Sequence, residues 1–272
     1  MKVAALQYTA TDNLDDNIKT ASALITKAAS GGARLICLPE CANFIAKDKA
    51  SLFAQAETEE HSLFLAMAIK QAQNHNSYLS LGSLMMRQNN ASADDSRLAN
   101  RHYIIAPDGT IAARYDKIHM FDAEVGDGKS YRESDSFRAG KHPVMTAIDG
   151  QKTGLSICYD IRFAGLYHHY AAAGASLLLT PAAFTATTGA AHWHVLQRAR
   201  AIETGAFVIA AAQSGTHDDG RKTYGHALII NPWGTILSDA GPEGDMAIAE
   251  LDFSHVNKAR KSLVAWRNQT SF

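Results

Sequence analysis

The sequence predicts an α/β fold with strands covered by helices, and three observations carry that expectation. Short apolar runs alternate with stretches of helical period over residues 3–38. Pairs of apolar runs flank the turn sequences PDG, DG and PWG, as antiparallel hairpins do. The strand and helix alternation then returns after residue 158. These patterns allow either one mixed sheet covered by helices or two packed sheets with helices outside.

Each element follows from local signals. Residues 3–8 are an apolar strand; after a polar turn, Leu14, Ile18, Ala21, Ile25 and Ala28 recur at helical spacing until Gly31 and Gly32 stop them. Residues 35–38 form a second strand ended by Pro39, which leaves Glu40 just beyond a strand terminus, where α/β folds place chemistry. A helix over 63–75, a strand over 78–86 and a polar loop over 88–99 come next. Hairpins pair 102–106 with 110–114 and 144–148 with 153–157. Beyond Cys158 the pattern predicts a helix through His168 and Ala173, a strand over 176–180, a helix over 190–204 and a strand over 207–212. A hairpin of 227–231 with 235–238, a strand over 246–251 and a basic helix over 256–266 complete the chain. No linker or repeat interrupts it, so residues 1–272 read as one domain.

Composition narrows the function. A chain of 272 residues with 46% hydrophobic content can bury a large core. Its 26 basic residues are matched by 27 acidic ones, which argues against nucleic acid as a partner. Cys37, Cys41 and Cys158 form neither a disulfide framework nor a CxxC pair, so a reducing, cytoplasmic setting is expected. MKVAALQYTA reads as a first strand rather than a signal peptide, and no apolar run is long enough to cross a membrane.

Cys158 has two readings, since a free cysteine is commonly a small buried hydrophobe. Its position favours the other: it ends the run Leu155-Ser156-Ile157 just before a helix, an elbow whose backbone amides favour a thiolate and can hold an oxyanion. Cys37, inside a strand, and Cys41, without such an elbow, keep the structural reading. A cysteine nucleophile needs a proton acceptor and stabilisation of developing charge. Glu40 is the first candidate for the acceptor and Lys117, after another strand end, for the charge; a solvated carboxylate and a sheet-edge cap are their alternatives. Glu133 in SYRES carries the weakest signal of its own.

Together, LPE at Glu40, YDKIHMFD at Lys117, YRES at Glu133 and GLSICYDIRF at Cys158 resemble the nitrilase superfamily of carbon-nitrogen hydrolases. PAAFTATTGAAHW, RARAIET and YGHALIINPWGT are similar to its Nit-type amidase branch, so the resemblance spans nearly the whole chain. It implies a four-layer αββα sandwich and a cofactor-free amidase acting through a cysteine thioester. It also implies Glu40 as general base, Lys117 as oxyanion electrophile beside the Tyr159 backbone N–H, Cys158 as nucleophile and Glu133 as assisting carboxylate. A homodimer or higher homo-oligomer is implied too, with helices near the Cys158 segment at its interface and the basic C-terminal helix lying across the partner. The sequence departs from the family at Val125-Gly126-Asp127-Gly128, where close relatives carry a Val-Pro-Gly-like turn.

The branch directs attention to small-molecule amides of 2-oxoglutarate. Deaminated glutathione, cleaved to 2-oxoglutarate and cysteinylglycine, is the first expectation; α-ketoglutaramate, the ω-amidase substrate, and other small linear amides are the alternatives. The shared carboxylate calls for a cation, for which Arg162 is the candidate, with an ion pair to Asp160 as the competing reading. Phe184 and Thr188, placed in the loop after the 176–180 strand, resemble substrate-contacting positions. Other functions fit less well. His168-His169 and His192-Trp193-His194 lack the i,i+4 spacing by which two helical histidines share a metal, so no metal site is expected. The sequence context of a papain-like cysteine is absent. A non-catalytic scaffold is disfavoured by the intact Glu, Lys and Cys set.

Overall fold

The structure is a computed structural model that describes residues 1–88, 95–126 and 128–268. Part of the expected 88–99 loop and Asp127 of the departing turn lie outside the described residues. The chain opens with β1 (Lys2–Tyr8), α1 (Leu14–Ser30), β2 (Leu35–Leu38), α2 (Lys49–Gln55) and α3 (Leu63–His75). Next are β3 (Tyr78–Met86), β4 (Ala99–Ile105), β5 (Ile111–Asp116), β6 (Asp122–Glu124), β7 (Ser130–Arg132), β8 (Met145–Ile148) and β9 (Gln151–Leu155). A 3₁₀ turn, Cys158–Arg162, leads into α4 (Ala164–Ala172), β10 (Leu177–Leu179), α5 (Ala186–Thr204), β11 (Phe207–Ala210) and β12 (Ala212–Thr216). The last elements are β13 (Lys222–Tyr224), β14 (Leu228–Ile230), β15 (Ile236–Asp239), β16 (Met246–Glu250) and α6 (Ser254–Ser262).

The strands build two large sheets. One runs β13-β12-β1-β2-β3-β4-β5 with β16 also paired to β1; the other runs β15-β14-β11-β10-β9-β8. Strand periodicity explains how they pack. Val3, Ala5 and Leu35 join the core that also holds Leu155, Leu177 and Phe207 of the second sheet. Ala4, Leu6 and Ile36 instead meet Ala21 and Ile25 of α1 and Phe64 and Ala68 of α3. Tyr167 and Tyr170 of α4 and Trp193 and Ala201 of α5 pack with the second sheet. The result is an αββα sandwich whose inner sheet faces are both apolar.

Helix ends follow capping chemistry. Asn13 caps α1 by accepting from the Asp16 N–H, with Asp15 and Asp16 in the first turn and Lys27 in the last. Thr185 caps α5 by accepting from the Thr188 N–H, so this helix begins at Ala186 rather than 190. Thr188 therefore lies in a helical turn, not in a loop. Further differences arise where tertiary pairing overrides local pattern. The predicted strand 207–212 is two strands: β11 stays in the six-stranded sheet, while β12 crosses to pair in parallel with β1, Gln7 opposite Ala212. The uninterrupted alanines there carry no break signal. The predicted terminal helix stops at Ser262 and resumes as a 3₁₀ turn, Val264–Arg267. Its buried residues Val256 and Ala259 belong to α6, whose Arg260 donates to the Thr204 carbonyl of its own chain.

Two close approaches hold the sheets together near the catalytic motifs. Gly82 lies in β3, where a Cβ atom would come within 2.0 Å of the Leu38 carbonyl oxygen and 2.2 Å of Pro181 Cβ, so only glycine fits without movement. His102 of β4 spans the interface: its Nε2 meets Ser80 Oγ at 2.7 Å and its Nδ1 meets the Ser156 carbonyl at 3.2 Å.

Candidate active site

Three strand ends converge beside Gly82. Glu40 follows β2 and Pro39 and is 4% exposed; the Gln213 side chain, brought in by β12, donates to its backbone carbonyl at 2.9 Å. Lys117 follows β5 and is 2% exposed. The β4–β5 register, Arg101 opposite Asp116, sets Asn100 beside Lys117, whose N–H donates to the Asn100 carbonyl at 3.0 Å. Cys158 opens the 3₁₀ turn with φ +45°, and its N–H donates to the Pro181 carbonyl at 2.8 Å. A left-handed conformation is costly for a residue with a Cβ and persists only where its surroundings enforce it.

Asp160 supplies much of that enforcement. It is fully buried and accepts from the Ile157 N–H at 2.9 Å, the Tyr115 hydroxyl at 2.6 Å and the His119 N–H at 3.0 Å. Its oxygens are thus committed to bracing the turn, which leaves the proposed Arg162–Asp160 ion pair without support. Arg162 instead lies over the Tyr159 and Phe184 rings, 5.8 and 5.1 Å from their centroids, with Nη1 3.3 Å from His192 Nδ1.

The side chains meet in one network. Lys117 Nζ donates to Glu40 Oε1 at 2.9 Å and to both Glu133 oxygens at 2.9 and 2.8 Å. Asn100 Nδ2 bridges the same carboxylates at 2.9 and 3.1 Å, and the Ala183 N–H donates to Glu40 Oε2 at 2.9 Å. Glu133 Oε2 accepts from the Phe121 N–H at 2.6 Å. Sequence reasoning missed Asn100; its signal is a polar residue in a buried strand, opposite Lys117 in a hairpin register.

Electrostatics assign the resting protonation states. Burial raises the Glu40 carboxyl, but the Lys117 ammonium and hydrogen bonds from Lys117 and Asn100 outweigh it, holding the group below its usual range. Burial lowers Lys117, and the charges of Glu133 and Glu40 more than reverse this, so it stays an ammonium. Burial and the neighbouring Glu40 charge push the Cys158 thiol well above its ordinary range. Backbone amides at the elbow favour a thiolate, but burial and the carboxylate charge override them, and the resting group is a thiol whose proton Glu40 can take.

A cavity of about 310 Å³ opens onto these groups. Glu40, Lys117, Glu133 and Cys158 line it, as do Tyr159, Arg162, Phe184 and Thr188, so all eight residues singled out from sequence share one space. Tyr131 and Arg221, not anticipated, line it as well; Arg221 lies over the Tyr131 ring and binds Asp219 Oδ2 at 3.0 Å. The site thus combines a thiol, an ionised base beside it, a fixed cation and further guanidinium groups. That set suits covalent attack on a carbonyl carbon.

Residues 2–261 match the family "Carbon-nitrogen hydrolase". The chain belongs to this carbon-nitrogen hydrolase family, as a cysteine-dependent amidase of its nitrilase superfamily. Within the family it is 41% identical over 267 residues to the "Deaminated glutathione amidase" of Synechocystis sp. (strain PCC 6803 / GT-S), covering 96% of this chain and 94% of that one. The mouse (Mus musculus) protein of the same name is 36% identical over 270 residues, covering 98% and 82%. The crystal structure of the Caenorhabditis elegans NitFhit protein aligns with TM-score 0.91 and 35% identity, covering 98% of this chain and 64% of that one. The Saccharomyces cerevisiae Nit3 structure shares the fold at TM-score 0.85 and 24% identity, covering 97% and 94%. The αββα sandwich is the fold of this family. Among the described residues no helix is long and apolar enough to cross a membrane.

Proposed function

We propose that Cys158, Glu40, Lys117 and Glu133 are the catalytic residues and that the enzyme cleaves deaminated glutathione to 2-oxoglutarate and cysteinylglycine. The ionised Glu40 and the protonated Cys158 lining one cavity, with Lys117 Nζ 2.9 Å from Glu40, carry this reading. As sulfur adds to the amide carbon, its proton passes to Glu40 and the carbonyl π pair moves onto oxygen. Lys117 and the Tyr159 N–H hold that oxyanion. Glu40 returns the proton to the amine nitrogen as the C–N bond breaks, leaving a thioester on Cys158. Water then gives a proton to Glu40 and its hydroxyl to the acyl carbon; C–S cleavage releases the acid, and Glu40 reprotonates the sulfur. Atoms and protons balance without metal or organic cofactor. Glu133 and Asn100 keep Lys117 and Glu40 in place.

The substrate assignment draws on the names of the 41% and 36% identical relatives and on the charge of the cavity. Arg162, stacked on Tyr159 and Phe184, would take the 2-oxo acid carboxylate, with Thr188 beside it. Arg221 offers a second guanidinium, matching the second carboxylate that cysteinylglycine contributes. We further propose that residues 1–272 act as one domain, in a cytoplasmic homodimer. Three free cysteines support a reducing compartment, and exposed Phe163, Val195 and Ile202 around α4 and α5 support an interface there.

The test is kcat/KM for deaminated glutathione, α-ketoglutaramate and glutathione at one pH. Both keto-amides form the same acyl-enzyme, so a preference for the first must come from leaving-group contacts. Preference for α-ketoglutaramate would make the enzyme an ω-amidase, and turnover of neither would leave only the general amidase chemistry.

A further inference from the structure

Outside the catalytic cavity, one group of metal-ligating side chains converges among the described residues: His194 of α5, His226 just before β14 and Asp239 at the end of β15. The sequence reading set His194 aside because His192 points elsewhere on the helix; folding supplies it with different partners. Its Nε2 is 3.1 Å from Asp239 Oδ2, and His226 Nδ1 is 3.2 Å from that same oxygen and 3.0 Å from Oδ1. Ligating atoms of all three residues lie within 4.8 Å of one another. Donors around a tetrahedral ion with bonds of about 2.0–2.1 Å stand about 3.3–3.4 Å apart, so the two measured edges need to open only slightly.

The surroundings hold these groups in position. His226 has φ +57°, a conformation a histidine adopts at some cost. The Trp193 indole N–H donates to its carbonyl at 2.8 Å, and the Tyr224 ring stacks on its imidazole at 4.6 Å between centroids. The Gly241 N–H donates to Asp239 Oδ1 at 2.7 Å, fixing the carboxylate, whose Oδ2 faces His194 and both of whose oxygens face His226. A ligating carboxylate that is itself hydrogen-bonded from outside the site, as Asp239 is here, is the usual construction of a metal site. The three side chains are 29%, 19% and 29% exposed, enough for an ion to enter and for water to complete its coordination.

We propose that His194, His226 and Asp239 form a zinc site that clips α5 to the β14–β15 edge of the six-stranded sheet. Two imidazoles and one carboxylate suit zinc better than calcium or magnesium, which prefer all-oxygen shells. None of the three residues lines the catalytic cavity, so the ion strengthens the fold and takes no part in amide cleavage. The inference is independent of the proposed substrate.

The test uses the full chain with Cys158→Ser as parent, so that the active-site thiol does not compete. After chelator treatment, Zn²⁺ alone is titrated against a chromophoric competitor into the parent and into parent carrying His194→Ala, His194→Gln or Asp239→Asn. One zinc ion per chain with micromolar or tighter affinity is expected in the parent, weakened at least about tenfold in each variant. Zinc should raise the melting temperature of the parent by several degrees and that of the variants by clearly less. Melting in chelator verifies that every variant is folded. Cobalt in place of zinc should give a tetrahedral visible spectrum without thiolate charge-transfer bands, which separates this site from Cys37 and Cys41. The proposal is overturned by parent binding only in the millimolar range, by equal affinity in the variants, or by a thiolate signature. Amide turnover measured on the Cys158-containing chain should be unchanged by His194→Ala in zinc-free buffer; loss of turnover would contradict a purely stabilising role.

Discussion

Replacing Lys117 with methionine removes the ammonium that Glu40 and Glu133 share while keeping a similar length. In the parent, one ammonium contacts Glu40 at 2.9 Å and Glu133 at 2.8 Å, leaving the trio with one excess negative charge. Lys117→Met raises the excess to two at a place where solvent reaches little of either group. Removing one partner of a buried ion pair costs about 3–5 kcal/mol, much of it the uncompensated charge. Losing an oxyanion donor costs about 3–4 kcal/mol in the transition state, a fall in kcat of about 10²–10³. Urea denaturation and amide hydrolysis should show both losses. The double variant Lys117→Met/Glu133→Gln restores a single excess charge, so most of the stability should return while turnover stays low. The charge argument fails if Lys117→Met is within about 1 kcal/mol of the parent in stability, or if the double variant regains activity.

Three other outcomes are expected. Burial lowers His102 to about 4 and opposes its protonation. Its depressed folded value makes its contribution complete above the unfolded value near 6.5 and lost as pH falls toward 4, about 3 kcal/mol in all. Denaturation across that window should show a slope that His102→Asn flattens; an equal slope in both proteins would remove His102 as its source. Because burial and the Glu40 charge raise the Cys158 thiol, its alkylation by iodoacetamide should keep accelerating above pH 9, the region of the ordinary thiol value. In Glu40→Gln that rise should move to lower pH while amide turnover is lost, and a plateau near neutrality in the parent would show a resting thiolate instead. Gly82→Ala should lower both melting temperature and kcat, since the added methyl meets Leu38 O at 2.0 Å and the ring of Pro181, whose carbonyl accepts from the Cys158 N–H. Overpacking of this kind costs about 1–3 kcal/mol, and parent-like values for both quantities would mean the sheets can part freely.

The sequence by itself determined most strands and helices and eight of the residues that line the cavity. Glu40 and Cys158 each stand at the end of an apolar run and Lys117 just beyond a hairpin strand, positions that are visible in a linear pattern. Their chemistry is also local in kind, because a thiol, a carboxylate and an ammonium have limited roles near a carbonyl. Tertiary structure decided what depends on neighbours distant in the chain. Asn100 became the bridge between Glu40 and Glu133 through a strand register. Asp160 was removed from Arg162 by Tyr115 and His119, and β12 left its predicted strand for the other sheet. His194 acquired His226 and Asp239 through the packing of α5 on a sheet edge. The protonation state of Cys158 belongs here too: backbone position alone favours a thiolate, but desolvation and a carboxylate delivered from another strand reverse that preference. Short apolar patterns report backbone conformation, whereas hydrogen-bond partners and proton affinities follow from groups that only long-range packing brings within a few ångströms.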